Sequence, residues 1–125
     1  MVESKKGHIL IVEDETDIAE MLVYELERKN FSLIIKKDGA SGLLSFKENR
    51  PQLVIADIVL PKLNGIEMIE KMKDIDKSVP VICVSGAFSG RQDYCESLAN
   101  VCATYPKPFA IKDILNAIKK ALDKK

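Results

Sequence analysis

Asp57 closes the apolar run Leu53-Val54-Ile55-Ala56 and precedes Leu60-Pro61-Lys62-Leu63-Asn64-Gly65, so one carboxylate is delivered from a buried strand to an exposed turn. That placement suits a nucleophile, and an aspartate that attacks a phosphoryl donor forms an aspartyl phosphate. Three other strand-like endings carry complementary groups. Ile9-Leu10-Ile11-Val12 stops at Glu13-Asp14, Val81-Ile82-Cys83-Val84 stops at Ser85-Gly86, and a later segment stops at Lys107-Pro108. If these endings meet, three carboxylates share a small space. Each like pair at about 4 Å costs on the order of 1 kcal/mol in water and up to about 4 at the effective dielectric of a protein surface. A hard divalent cation relieves that repulsion through oxygen ligands. Mg²⁺ typically keeps several waters and takes one or two carboxylates plus a phosphate, which makes it the expected cofactor. The compact Lys107 ammonium and the Ser85 hydroxyl suit the oxygens of a transferring phosphoryl group.

Bringing these groups together is the task of elements whose apolar periodicity alternates between strand-like and helix-like. The first helix is expected from near Asp17, capped by Thr16 or Asp17, with Ile18, Met21, Leu22 and Leu26 on one face and Asn30 as its stop. Phe31 to Lys36 reads as an edge strand with one wetter face, and Asp38-Gly39 as a turn. A second helix covers about Ala40 to Glu48 and buries Leu43, Leu44 and Phe46, because Pro51 forbids it to run far beyond Asn49. The third, from about Gly65 to Asp74, carries Ile66, Ile69 and Met72, and Pro80 introduces the fourth strand. Between Ser89 and Asn100 only Tyr94, Cys95 and Leu98 can anchor a helix, so this element is expected to be easily displaced. The last helix shows a core-facing stripe of Ile111, Ile114, Leu115, Ile118 and Leu122, with Lys119, Lys120 and Lys124 near its negative carboxyl end.

Strands one, three and four are apolar on consecutive residues, which requires cover on both faces and hence a parallel sheet between helix layers. Five βα units then make a doubly wound α/β sandwich. Ligands of such sheets bind beyond the carboxyl ends of the strands, where the winding reverses. With strand order 2-1-3-4-5, Glu13, Asp14, Asp57, Ser85 and Lys107 all fall on that rim.

A chain of 125 residues with 46% hydrophobic content is expected to form one domain over residues 1–125. Nineteen basic and nineteen acidic side chains cancel, which gives no electrostatic reason to expect direct contact with nucleic acid or an anionic membrane. The polar start Met1-Val2-Glu3-Ser4-Lys5-Lys6-Gly7 lacks an apolar stretch long enough for a signal peptide or a spanning helix, so a cytoplasmic location is expected. Cys83, Cys95 and Cys102 form no CxxC pair and are expected as small core or subsurface residues. His8 opens the first strand at the end away from Glu13 and is not expected to act in catalysis.

Over nearly its whole length the sequence resembles the receiver domain of two-component response regulators, a CheY-like, flavodoxin-like fold. The resemblance rests on Glu13-Asp14 after strand one, Asp57 with Leu60-Pro61 and Gly65 behind it, Ser85-Gly86 after strand four, and Lys107-Pro108-Phe109 before the last helix. It implies that Asp57 accepts phosphate from a histidine kinase or phosphotransfer protein, with no enzymatic role beyond its own phosphorylation and dephosphorylation. Glu13, Asp14, Asp57 and the backbone carbonyl of Val59 would hold Mg²⁺, while Ser85 and Lys107 would bind phosphoryl oxygens. It also implies a cis Lys107–Pro108 bond, a turn permitted by Gly65, and a switch on the face of helix four, strand five and helix five. The chain departs from the pattern in placing Thr104 where an aromatic is usual, with Tyr105 one residue nearer the lysine. Because strand neighbours point to opposite faces, Tyr105 is expected to be a core residue. Gly86 stands where alanine is frequent, and Glu13 where aspartate is frequent. Val59 and Ala87 offer no side chain to orient a hydrolytic water, so slow loss of the phosphoryl group is expected.

Three rival readings fare worse. A phosphohydrolase with an aspartyl nucleophile, resembling the haloacid dehalogenase family, would carry DxD after strand one, and Glu13-Asp14-Glu15 does not fit. A flavin or dinucleotide module would need a glycine- or hydroxyl-rich loop there, and acids would repel its phosphates. A docking module independent of phosphorylation leaves the acid, hydroxyl and amine set without a purpose.

Overall fold

The computed structural model describes residues 6–86 and 90–123. Five strands and five helices alternate along the chain: β1 (Lys6–Val12), α1 (Thr16–Arg28), β2 (Phe31–Lys36), α2 (Gly39–Asn49), β3 (Leu53–Asp57), α3 (Gly65–Ile75), β4 (Val81–Ser85), α4 (Gln92–Ser97), β5 (Val101–Pro106) and α5 (Ile111–Asp123). All pairings are parallel and the order is β2-β1-β3-β4-β5. The winding therefore reverses between β1 and β3.

Period-two alternation sorts the central strands into two cores. Leu10, Val12, Val54, Ala56, Val81 and Cys83 face Phe46 of α2, Ile66, Met68, Ile69 and Met72 of α3 and Cys95 of α4. Ile9, Ile11, Leu53, Ile55, Ile82 and Val84 face Leu22 and Leu26 of α1 and Ile114, Ala117 and Ile118 of α5. Every residue of β3 and β4 is buried, as continuous apolar strands require. Edge strand β2 is graded instead, buried at Phe31 and half-buried beyond it. Helix ends follow the expected stops, since Asn30 and Arg50 take positive φ of 70° and 48° just past α1 and α2.

Several expectations are corrected. The N-cap of α1 is Glu15, in extended conformation and without a side-chain cap bond, because Thr16 already lies in the helix. In α2, Leu44 is 54% exposed, and the helix buries Gly42, Ser45 and Phe46 with Leu43 only partly covered. Small residues let α2 lie close to the sheet: a Cβ at Gly42 would stand 2.8 Å from Val12 Cγ2. Helix α4 is only six residues long, and its Tyr94 is 46% exposed. Met21 and Cys102 are exposed too, the latter on β5, the edge strand of the sheet among the described residues. Lys124, assigned to the end of the last helix, lies outside the described residues, as do Ser89 and Ala87. Among the described residues no helix is long and apolar enough to cross a membrane.

Candidate functional site

Parallel strands deliver their last residues to one edge, and the chemistry gathers there. Glu13 follows β1, its N–H donating to Lys36 carbonyl at 3.0 Å, and its side chain is 1% exposed. Asp57 ends β3 and is 4% exposed. Carboxylate oxygens of Glu13, Asp14 and Asp57 lie within 4.8 Å of one another, with Asp14 on the solvent side. Lys107 comes from beyond β5, steered by its N–H donating to the Ser85 carbonyl at 2.8 Å, and its bond to Pro108 is cis. Its Nζ donates to Asp57 Oδ2 at 2.9 Å and to Glu13 Oε2 at 3.0 Å.

Local turns fix the acids. Asp57 Oδ1 accepts the Val59 N–H at 3.0 Å, an Asx turn that leaves Val59 exposed beside the carboxylate. Gly65 donates to the Ile58 carbonyl at 2.8 Å, and a Cβ there would fall 2.2 Å from the Asp57 carbonyl oxygen. Only glycine lets α3 begin so close to Asp57. Asn64 caps that helix, its Oδ1 accepting the Ile66 N–H at 2.7 Å.

Burial pushes the Glu13 carboxyl above the usual range, against the Glu15 N–H and the Lys107 ammonium that favour its charge; the Asp57 carboxylate pushes it further up. For Lys107 burial works against the charge, but hydrogen bonds to Glu15, Asp57 and Glu13 outweigh it and hold the ammonium well above its ordinary value. The lysine is therefore a fixed cation at neutral pH. One ammonium among four carboxylates leaves the rim negative. Glu13 Oε1 is buried with no hydrogen-bond partner among the described residues, an acceptor awaiting a donor or a cation. An all-oxygen donor set with an unsatisfied buried oxygen fits a small hard ion such as Mg²⁺.

Of the residues singled out in the sequence, Glu13, Asp14, Asp57 and Lys107 converge as expected. Ser85 is buried at the adjacent strand end and joins Lys107 through its backbone carbonyl. Glu15 joins them from outside that set, its Oε1 accepting from Lys107 Nζ at 2.5 Å. The only signal in the sequence was a third consecutive acid. Thr104 and Tyr105 point to opposite faces as expected. Thr104 Oγ1 accepts from Gln92 Nε2 at 2.9 Å and donates to Glu96 Oε2 at 2.6 Å, both on α4, while Tyr105 packs half-buried against the α5-side core. His8 is exposed at the opposite edge. A cleft of about 680 Å³ also lies away from the rim, between Phe31, Gln52 and the α5 residues Leu115, Ile118 and Leu122, and includes none of Glu13, Asp14, Glu15 and Asp57.

Fold and rim together define a doubly wound α/β domain with an acidic pocket at its winding reversal. The family model for the response regulator receiver domain matches residues 9–119, and the chain belongs to that family. It is 38% identical over 94% of its length to the uncharacterized transcriptional regulatory protein YkoG of Bacillus subtilis, and covers 52% of that protein. It is 34% identical over 92% of its length to the response regulator ArlR of Staphylococcus haemolyticus, again covering 52% of the relative. The chain thus spans about half the length of these curated relatives. Among solved structures, a CheY-like receiver domain protein from Methanospirillum hungatei superimposes with a TM-score of 0.89 at 30% identity, covering 97% of this chain and 96% of that one. A receiver domain protein from Clostridium thermocellum gives 0.85 at 26% identity, covering 95% and 96%.

Proposed function

We propose that residues 1–125 form one receiver domain that takes a phosphoryl group on Asp57 from a phosphohistidine donor, a histidine kinase or phosphotransfer protein. The observation that carries this reading is the meeting of Asp57 with Glu13, Asp14 and Lys107 on one rim. An Asp57 oxygen attacks phosphorus as the bond to the donor nitrogen breaks, and the histidine leaves with the electron pair. The Val59 N–H and Lys107 hold the two Asp57 oxygens in fixed directions beforehand, which is positioning that catalysis exploits. Glu13, Asp14, Asp57 and the Val59 carbonyl would hold Mg²⁺, which when bound supplies positive charge against the gathering phosphoryl oxygens. Lys107 and the Ser85 hydroxyl receive those oxygens.

Contacts to the new phosphoryl group draw Ser85 inward and shift the population of the α4, β5 and α5 face, which a downstream partner reads. The Bacillus subtilis relative is named as a transcriptional regulatory protein, which makes gene control the proposed destination of the signal. With no net charge, this domain is assigned no nucleic-acid contact of its own. The cytoplasm, where phosphohistidine donors act, is the proposed location.

Incubation with acetyl phosphate and Mg²⁺ followed by intact-mass measurement tests the assignment. The wild type is expected to gain one phosphoryl group and Asp57→Asn none, whereas equal labelling of both would remove Asp57 from its role. The labelled protein, left without phosphatase, is expected to keep its group for minutes or longer beside the apolar Val59. Loss within seconds would contradict that.

A further inference from the structure

Lys107 has three N–H donors, and all three are spent on carboxylates: Glu13 at 3.0 Å, Asp57 at 2.9 Å and Glu15 at 2.5 Å. Glu13 and Asp57 belong to the cluster that fits a divalent ion; Glu15 does not. A divalent cation on those oxygens repels the ammonium, which must loosen from Glu13 and Asp57 yet stay beside Asp57 to meet a phosphoryl oxygen. Glu15 is built to receive it. Its backbone N–H donates to Glu13 Oε2 at 3.1 Å while its side chain grips Lys107, which itself touches the same Glu13 oxygen. The three residues close a ring that uses Glu13 Oε2 twice and leaves Oε1 unpartnered. The Glu15 side chain is 60% exposed, so its carboxylate keeps most of its hydration and can follow the ammonium outward.

Resting on the receiver reading, we propose that Glu15 is a positioning residue whose carboxylate takes the Lys107 ammonium from Glu13 and Asp57 when the acidic cluster accepts Mg²⁺, keeping Lys107 at the phosphorylation site. Without Glu15 the ammonium rests wholly on two metal ligands and competes harder with the ion.

The test is the Mg²⁺ dissociation constant of the unphosphorylated full chain, measured by titration calorimetry. Glu15→Gln is expected to weaken binding about three- to fivefold, the scale of an exposed ion pair. In a Lys107→Met background the same substitution is expected to cost less than about 1.5-fold, the residue of a screened, distant charge. Glu15→Asp keeps the charge on a shorter arm and is expected to bind Mg²⁺ more weakly than the wild type. Equal factors for Glu15→Gln in the two backgrounds, or wild-type affinity in Glu15→Asp, would overturn the role of Glu15 and leave the receiver reading standing. A wild type that binds no Mg²⁺ would overturn both.

Discussion

Helices α3 and α4 share one layer over the same sheet, yet they are held by different forces. Helix α3 runs eleven residues, begins with the Asn64 cap and buries Ile66, Met68, Ile69 and Met72. Helix α4 runs six, has no side-chain cap, and buries only Cys95. Its other ties are polar: Gln92 and Glu96 to Thr104 of β5, and the Tyr94 hydroxyl donating to Glu70 of α3. Each fully buried aliphatic side chain contributes roughly 1.5–3 kcal/mol, whereas a hydrogen bond contributes a net of about 0.5–1.5. In the proposed switch, a phosphoryl group on Asp57 would offer Ser85 and Lys107 one or two new bonds, enough to compete with the ties of α4. It cannot compete with the core under α3. The stiff helix adjoins Asp57 through Gly65, and the loosely tied one follows the Ser85 strand end.

Core truncation should expose the contrast most. Ile69→Ala is expected to cost about 2–5 kcal/mol of global stability by leaving a cavity in the α3 core. Cys95→Ala, which removes one sulfur atom, should cost about 1 kcal/mol. Urea denaturation of both variants measures the difference, and equal losses would mean that α4 is as deeply anchored as α3. A subtler variant sharpens the contrast. Thr104→Val keeps a β-branched shape but removes the oxygen shared by Gln92 and Glu96, so it should cost about 0.5–1.5 kcal/mol. Amide hydrogen exchange should quicken in residues 92–97 and stay unchanged in residues 65–75. Exchange of both helices at one common rate would show them to be a single cooperative unit.

That difference also explains what could be read from the sequence. Helix α3 was legible because Ile66, Ile69 and Met72 repeat at helical spacing within a few residues of one another. The weakness of α4 was legible as a shortage of apolar residues, but its six-residue length was not, since Thr104 and Glu70 hold it from other elements. At the site, Glu13, Asp14, Asp57 and Lys107 could be found because a parallel sheet sends every strand end to one edge, which makes position along a strand equivalent to position in space. Glu15 lacked that advantage. Its partner lies 92 residues away, and the contact depends on a side-chain direction that no periodicity encodes. The exposure of Leu44 is hidden for the same kind of reason: α2 approaches the sheet through Gly42 and Ser45 beside Phe46, so close packing selects small residues and turns Leu44 to solvent.

The smallest expected effect concerns the tie between the two helices. The Tyr94 hydroxyl donates to the Glu70 carboxylate, and that hydrogen bond, with some burial and the repulsion of a second negative charge, holds the phenol above its ordinary value of 10.0. A folded value above the free one means that the contact's contribution to stability is whole below pH 10 and is lost as pH climbs through the raised value. Subtracting the alkaline phenolate absorbance of Tyr94→Phe from that of the wild type should give a curve with its midpoint above 10.0, and Glu70→Gln should bring that midpoint back toward 10.0. A midpoint already at 10.0 in the wild type would release Tyr94 from Glu70 in solution. Helix α4 would then depend, among the described residues, on Thr104, Cys95 and its C-cap Leu98, and its separation from α3 would be wider than the contacts between them suggest.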